Sequence, residues 1–181
     1  MIKIRQNVFE TNSSSTHAIC ICTNNPNVPT KVDIKVGEFG WDRVDLTDPE
    51  EKLSYLYTYL TYWTYYRIYD ARNPEAIKRA KKEIAAIQDD LCDRLFKLGC
   101  WPTFETVEET LSRYENYDAY IDHDEGMDEG FVKFVLNHLD DYLSGNSVIM
   151  IGNDNSRYDV FEMADSLKEK EGNMKVFKKG N

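Results

Sequence analysis

The sequence predicts a mixed α+β fold: a small mixed sheet flanked by helices, with an antiparallel helical pair inserted between the N-terminal strands and the rest. Three observations support this prediction. Short apolar or alternating runs lie near both ends of the chain, long segments with apolar residues at helical spacing lie between them, and capping residues mark where those segments begin. The 181 residues suit one domain, 1–181, with 47–99 as a helical-hairpin insertion.

Strands are predicted near both ends of the chain. Residues 2–9 and 18–22 are the first two, and 31–36 is the third, because its valine and isoleucine side chains take alternate positions. Residues 147–151 are the most strand-like run, and their unbroken apolar character predicts a buried central strand. Two further short strands are expected, at 119–122 and, as an edge strand, at 174–177.

Helix boundaries are marked most clearly in the middle of the chain. A helix is predicted over 47–69, with Thr47 or Asp48 as its N-cap and a proline in its first turn. The next helix, 74–97, follows Asn73 as its N-cap, begins with proline and ends before a glycine. Three more helices are expected from their apolar spacing, at 106–114, 128–143 and 160–168.

The helix at 47–69 is unusually rich in tyrosine. Its leucines fall at helical spacing, which predicts one buried side with several tyrosines on the flanks. Tyrosine supplies contact area at low entropic cost, so a partner-binding face is predicted at Tyr55, Tyr59, Tyr62 and Tyr66. The alternative is that these are ordinary tyrosines of a half-buried helix, with their hydroxyl groups in water.

The charge balance limits the partners that the protein can take. The chain has 32 acidic and 22 basic side chains, a net charge of −10 and a pI near 4.8. Such a surface repels nucleic acid, so no binding to free DNA or RNA is expected. A positively charged protein that itself holds nucleic acid is a more credible partner. The alternative is that the charge serves only solubility.

Several features indicate a cytoplasmic protein. No run is long enough for a membrane-spanning helix, and the N-terminus lacks the apolar core of a secretory signal, so no membrane association is expected. The four cysteines have the spacing of neither a zinc site nor a disulfide framework. They are predicted to be buried thiols, with Cys20 and Cys22 on one face of a strand.

A polar segment between the first two predicted strands is the main functional candidate. Positions 10–18 hold a single apolar residue, whereas an ordinary hairpin needs only about two to five connecting residues. Glu10 and His17 are candidate catalytic groups, because a carboxylate and an imidazole can transfer protons. The alternative is a turn whose polar side chains bond the local main chain. Neighbouring hydrogen-bonding side chains are candidates for substrate binding: Arg5, Asn12, Ser13, Ser14, Ser15 and Thr16.

Two later loops join this segment as candidates. Asp122 and His123 lie at the carboxyl end of one predicted strand, and Asp154 and Arg157 follow another. In sheets with helical crossovers such carboxyl ends line a ligand crevice, so Glu10, His17 and the later residues are predicted to converge. Asp122, His123 and Asp154 are candidate catalytic groups, and Arg157 is a candidate for substrate binding. The group either binds a divalent metal or performs acid–base chemistry without one, and the identity of any metal is left open. The alternative is that the aspartates only form turns and helix caps.

A serine nucleophile is not expected. Residues 13–15 precede His17 on one extended segment, where a nucleophile and its base cannot easily face each other. The chain also contains no Gly-x-Ser-x-Gly elbow, phosphate-binding loop or dinucleotide fingerprint.

The opening phrase of the chain resembles that of a protein family. Arg5-x-x-Val-Phe-Glu-Thr-Asn-Ser-Ser-Ser-Thr-His17, followed by Ile121-Asp-His123 and Ile151-Gly-x-Asp154-Asn, is similar to small proteins of phages and mobile elements in Gram-positive gut bacteria. The family includes anti-CRISPR proteins that block type II RNA-guided effector nucleases, one of which promotes truncation of the guide RNA. The resemblance covers the predicted strands and loops but not the helical pair at 47–99. It implies an effector nuclease with its guide RNA as the partner, in the cytosol of the host bacterium.

The sequence leaves three hypotheses. In the first, the protein binds a type II effector ribonucleoprotein and inhibits it, with or without truncation of its guide RNA. The acidic surface fits this role because charge attraction accelerates encounter with a basic channel. In the second, it is a small hydrolase or nuclease that uses the Glu/His/Asp site and needs no dedicated partner. In the third, it is a phage accessory protein whose polar segment is only structural.

Overall fold

The protein is described by a computed structural model at residues 15–23, 27–40, 44–122, 129–153 and 159–179. The predicted first strand, 2–9, lies outside these residues. Within them the chain forms eight strands: β1 (Ser15–Cys22), β2 (Lys31–Ile34), β3 (Glu38–Phe39), β4 (Val44–Leu46), β5 (Trp101–Phe104), β6 (Tyr120–Ile121), β7 (Val148–Asn153) and β8 (Met174–Lys179). It also forms six helices: α1 (Pro49–Ile68), α2 (Pro74–Lys97), α3 (Val107–Glu115), α4 (Glu129–Asn137), α5 (Leu139–Leu143) and α6 (Val160–Glu171). The mixed α+β fold is therefore confirmed.

The main sheet has four strands in the order β4-β7-β1-β8, and every neighbouring pair is antiparallel. The predicted central strand is β7, between β4 and β1, and the predicted edge strand is β8, at one end of that order. An antiparallel sheet does not gather the carboxyl ends of its strands at one edge. Instead the carboxyl ends of β7 and β8 lie beside the start of β1, so the topology assumed for the candidate site was wrong.

Two parallel strand pairs accompany this sheet, β2 with β5 and β3 with β6. Strands β3, β4 and β5 were not predicted, because segments of two to four residues carry too little alternation to be recognised. Between β2 and β5 the chain runs through both long helices, and α2 contacts α1 and β5. The assignment of 1–181 to one domain, with 47–99 as an insertion, stays a prediction.

Helix α1 is buried on more than one side. Asp48 caps it by accepting a hydrogen bond from the amide of Glu50 at 2.8 Å. The helix contacts β2, β6, α2, α3 and α5. Tyr55 and Tyr57 are fully buried together with Leu53 and Leu56 of the predicted apolar side. The prediction of a single buried side was therefore wrong, because packing on several sides covers the tyrosines as well.

A buried lysine anchors the start of α1. Lys52 is fully buried, and its Nζ donates hydrogen bonds to the carbonyl oxygens of Ser144 at 2.6 Å and Ser147 at 3.0 Å. The hydroxyl of Tyr142 donates in turn to the carbonyl oxygen of Lys52 at 2.6 Å. Burial lowers the pKa of Lys52 to about 8. The ammonium group thus joins α1 to the turn before β7, at the cost of partial desolvation.

Strand β1 is covered on both faces. Ile19 and Ile21 belong to the main apolar core, whereas Ala18, Cys20 and Cys22 pack in a second cluster with α6. The predicted shared face of the two cysteines is therefore confirmed. All four cysteines are free: Cys20, Cys22 and Cys100 are buried, and Cys92 is only partly so. Burial raises the pKa of Cys20 to about 11.

The helix predicted at 128–143 is interrupted. His138 leaves the helical conformation, with φ of −132°, and separates α4 from α5. Its ring stacks on Phe134, with the ring centroids 4.4 Å apart, and its Nδ1 lies 3.8 Å from a carboxylate oxygen of Asp141. None of the helices in the described ranges combines the length and apolar character needed to cross a membrane.

Candidate functional site

The described residues that border the three predicted polar segments lie at one end of the main sheet. Ser15 begins β1 and pairs with Asn153, the last residue of β7, while His17 pairs with Lys179, the last residue of β8. Asp122, directly after β6, lies beside Ser15. Most of the predicted site falls outside the described residues, so their predicted roles stay predictions: Arg5, Glu10, Asn12, Ser13, Ser14, His123, Asp154 and Arg157.

His17 is the centre of a buried hydrogen-bonded array. Its side chain is fully buried, and its Nε2 lies 3.0 Å from the Oγ of Ser15. Its Nδ1 lies 3.0 Å from the hydroxyl oxygen of Tyr55. Residues i and i+2 of a strand project from the same face, which brings the serine hydroxyl to the imidazole. The expectation that a serine of this segment cannot face His17 was therefore wrong for Ser15.

The array supports two arrangements of protons. In one, Ser15 donates to Nε2, and Nδ1 donates to Tyr55. In the other, Tyr55 donates to Nδ1, Nε2 donates to Ser15, and Ser15 donates to the carbonyl oxygen of Asp122 at 3.4 Å. Burial raises the pKa of Tyr55 well above its usual value, so its hydroxyl keeps its proton. A chain of this kind can move a proton along its length.

Asp122 contacts the hydrogen-bonded array of His17 through its main chain. Its amide donates to the carbonyl oxygen of Phe39 at 2.8 Å, and its own carbonyl oxygen accepts from Ser15 and, at 3.3 Å, from the Nζ of Lys179. Gly40 makes this position possible. A Cβ atom there would lie 2.2 Å from the Cβ of Asp122, and the φ of +141° is one that L side chains rarely adopt. The carboxylate role predicted for Asp122 stays a prediction.

Two residues of this site were not expected from the sequence. Lys179 is only 4% exposed, although lysines of an edge strand normally point into solvent. Tyr55 was assigned to a partner-binding face rather than to His17. Neither carries a local signal, since both depend on the register of β8 and on the position of α1. Thr16 lies on the opposite face of β1, with its Oγ1 at 3.4 Å from the carbonyl oxygen of Gly152.

A metal site is not formed by the described residues alone. Among the residues that the structure describes, no group of three or more His, Cys, Asp or Glu side chains is arranged to hold a metal ion. The candidate group for a divalent metal also includes Glu10, His123 and Asp154, which lie outside the described residues, so metal binding and the metal-free alternative both stay predictions.

A separate acidic cleft lies at the N-terminus of α1. Its volume is about 590 Å³, and among the described residues that line it Lys35 is the basic one. The Oε1 of Glu50 accepts a hydrogen bond from the amide of Asp33 at 3.2 Å, which links α1 to β2 across the cleft. Carboxylates in the first turn also favour the start of a helix. Four carboxylate side chains line the cleft: Asp33, Glu38, Glu50 and Glu51.

The tyrosine face of α1 differs from its prediction. Tyr55 is fully buried, and Tyr59 is 7% exposed and packs on Phe131, so neither can form an exposed binding face. Tyr62 is half-buried, whereas Tyr66 is 72% exposed. The prediction of an exposed face therefore fails at its N-terminal end, because that part of α1 lies in the core.

Comparison with known proteins gives no match: no family model, no curated protein and no solved structure is similar to this chain.

Proposed function

We propose that this protein inhibits a type II RNA-guided effector nuclease by binding the effector together with its guide RNA, in the cytosol of the host bacterium. The observation that carries the proposal is the acidic cleft, in which the described lining residues comprise four carboxylates and one lysine. A cleft with an excess of one charge sign focuses the electrostatic field and attracts a surface of the opposite sign. The net charge of −10 and the resemblance of the segment ending at His17 to anti-CRISPR proteins support it further.

Binding to the positively charged surface of such a partner would inhibit it. An RNA-guided effector holds its guide and target strands in a basic channel. An acidic protein bound there competes with nucleic acid for the same lysines and arginines. Occlusion of this kind leaves the guide RNA intact.

Hydrolysis of the guide RNA is a second candidate, favoured by the array of Ser15, His17 and Tyr55. Proton transfer by a positioned imidazole is the usual form of acid–base catalysis, and the ammonium group of Lys179 lies at the same end of the sheet. An acidic enzyme repels RNA, so the effector would have to present the guide to this site. In the alternative, a small hydrolase or nuclease uses the site without a dedicated protein partner.

The test combines binding, target cleavage and the length of the guide. The purified chain is mixed with a type II effector loaded with guide RNA, and the complex is followed by co-purification, target-DNA cleavage and a denaturing gel of the guide. We expect co-purification and loss of DNA cleavage. The double variant Glu50→Gln/Glu51→Gln should bind less tightly. The matched double variant Glu162→Gln/Glu169→Gln, at two exposed positions of α6, should bind like the unchanged protein.

Each outcome separates the mechanisms. Lost DNA cleavage with an intact guide supports occlusion. A guide that is shortened by the protein but not by its His17→Ala variant supports hydrolysis. If the protein shortens RNA without an effector, it is a nuclease with no dedicated partner, and a failure to bind any type II effector would contradict the inhibitor proposal.

A further inference from the structure

Half-buried and exposed tyrosines lie together where α1 and α3 end. We define the tyrosine surface as Tyr62, Tyr65, Tyr66, Tyr69 and Tyr117. Within this set the rings of Tyr65 and Tyr69 stack with their centroids 5.0 Å apart, and Tyr65 also stacks on Tyr114 of α3 at 5.0 Å. Tyr66, stacked on Tyr62 at 6.3 Å, is 72% exposed, and Tyr117 is 85% exposed.

Tyr117 has a backbone conformation that does not suit its side chain. It follows the C-cap of α3 with φ of +58°, the left-handed region in which glycine is usual at this position. Hydrogen bonds from its amide to Tyr114 O at 3.2 Å and from the amide of Asp118 to Arg113 O at 2.8 Å fix the turn. A bulky residue is strained there, and an 85% exposed ring recovers little by packing. Because packing of the ring does not offset this backbone strain, the conformation points to a functional role for the ring.

Negative charge lies around these rings. Glu115 accepts a hydrogen bond from the hydroxyl of Tyr69, and Glu115 and Asp70 both raise the pKa of that hydroxyl, which places them close by. Asp118 follows Tyr117 directly. Aromatic faces and carboxylates together attract cations, and arginine most of all, because its planar group stacks on rings and bonds carboxylates. The same helix already shows one such contact, with the guanidinium carbon of Arg67 4.3 Å from the ring centroid of Trp63.

We propose that the tyrosine surface docks an arginine-rich segment of a partner protein, with Tyr66 and Tyr117 as its principal contacts. This inference rests on the proposed function, since a basic effector is the partner that would present such a segment. It also replaces the predicted binding face of α1 with one that is displaced toward the end of the helix and completed by α3.

The variants that test this surface should keep the fold. Tyr66→Ala removes an exposed ring from a helix, and Tyr117→Gly places the favoured residue at a left-handed position. Trp101→Ala is the matched control, because Trp101 is an aromatic residue that is 64% exposed. It lies beyond the far end of α2, whose 24 residues span roughly 36 Å. Circular dichroism melts establish that all variants are folded.

The probe is a fluorescein-labelled nona-arginine peptide, with binding followed by fluorescence anisotropy at low salt. We expect the Tyr66→Ala/Tyr117→Gly variant to bind roughly tenfold more weakly than the unchanged protein, as the loss of two exposed cation–π contacts implies, and Trp101→Ala to bind equally well. The inference is overturned if the double variant binds the peptide like the unchanged protein. It is also overturned if the two tyrosines are needed for an oligouridylate strand but not for the peptide.

Binding to the effector ribonucleoprotein, measured in parallel, decides the proposed function separately. If the unchanged protein does not bind the effector but the peptide result holds, the proposed function fails and the docking surface stands. If the protein binds the effector but the peptide result fails, the proposed function stands and the docking surface is overturned.

Discussion

The Oγ of Ser15 lies 3.0 Å from the Nε2 of His17, two residues further along the same strand. The opposite ring nitrogen is bonded to the hydroxyl of Tyr55, which belongs to the buried part of α1. The imidazole is thus held from both sides inside the core, by the end of the polar segment and by the helix that covers it. These hydrogen bonds join the candidate site to the packing of α1, so removing them should lower the stability of the protein.

Removing the hydroxyl of Tyr55 should destabilise the fold. Tyr55→Phe leaves a buried ring nitrogen of His17 without this partner, which costs about 1–3 kcal/mol of unfolding free energy. The unfolding free energy is measured by urea denaturation, with circular dichroism as the signal. Tyr66→Phe, which removes a hydroxyl from a side chain that is 72% exposed, should change the value by less than about 0.5 kcal/mol. Equal effects of the two substitutions would mean that the bond to His17 contributes nothing.

Lys52 should make stability depend on pH. Its pKa falls from 10.5 to about 8 in the folded protein, so between these values the unfolded chain binds more protons. Its contribution to stability is therefore complete above pH 10.5 and is lost as the pH falls through about 8. Relative to Lys52→Met, the unchanged protein should gain about 2–3 kcal/mol between pH 7 and pH 10.

Urea midpoints of the two proteins across this pH range test the prediction for Lys52. Tyrosines titrate at the upper end of the range, but they are common to both proteins and cancel in the difference. A difference that does not change with pH would show that the lysine has an ordinary pKa in the fold.

Relieving the left-handed conformation at Tyr117 should stabilise the protein. Tyr117→Gly should raise the unfolding free energy by about 1 kcal/mol, because glycine has no Cβ to strain at positive φ. Tyr117→Ala is the control, since it removes the ring but keeps the strain, and it should leave stability nearly unchanged. Thermal and urea unfolding measure both. If Tyr117→Gly is less stable than the unchanged protein, the ring contributes to folding rather than to docking.

Gly40 should not tolerate a side chain. In Gly40→Ala the new Cβ meets the Cβ of Asp122 at 2.2 Å and the backbone keeps a φ of +141°. Both effects destabilise, and together they should cost at least about 2 kcal/mol and displace Asp122 from Ser15. Gly145→Ala, where the new methyl group meets nothing within 4 Å, should be close to neutral. Differential scanning calorimetry compares the two, and a neutral Gly40→Ala would show that this loop moves aside freely.

Local signals in the sequence were sufficient for several elements. Helix α2 is capped by Asn73, whose side chain accepts from the amides of Glu75 and Ala76, and the chain leaves it through Gly99 with φ of +79°. These preferences act within one turn, so they can be recognised without knowledge of the fold. The apolar run that became β7 was recognisable for a similar reason, since a strand covered on both faces is short and apolar throughout.

Signals of this kind do not describe α1. Its leucines mark one buried side correctly, but Tyr55 and Tyr57 are buried because β2, β6, α3 and α5 enclose the helix. Which of its tyrosines stay exposed depends on where those neighbours end. Among the tyrosines of α1, Tyr66 near the C-terminus of the helix is the one that is largely exposed. The exposed Tyr117 comes from the residues that follow α3.

The sequence alone determined the mixed fold class, the capped helices, the acidic charge and the approximate positions of β1, β2, β7 and β8. Each of these depends on side-chain chemistry or on neighbours within a few positions. Folding in three dimensions decided that the main sheet is antiparallel, that Lys179 and Asp122 meet beside Ser15, and that His17 bonds to Tyr55. The hydrogen bond between Ser15 and Asp122, for example, joins residues 107 positions apart. Such contacts depend on strand register and on the path of the chain between elements, which no short stretch of sequence specifies.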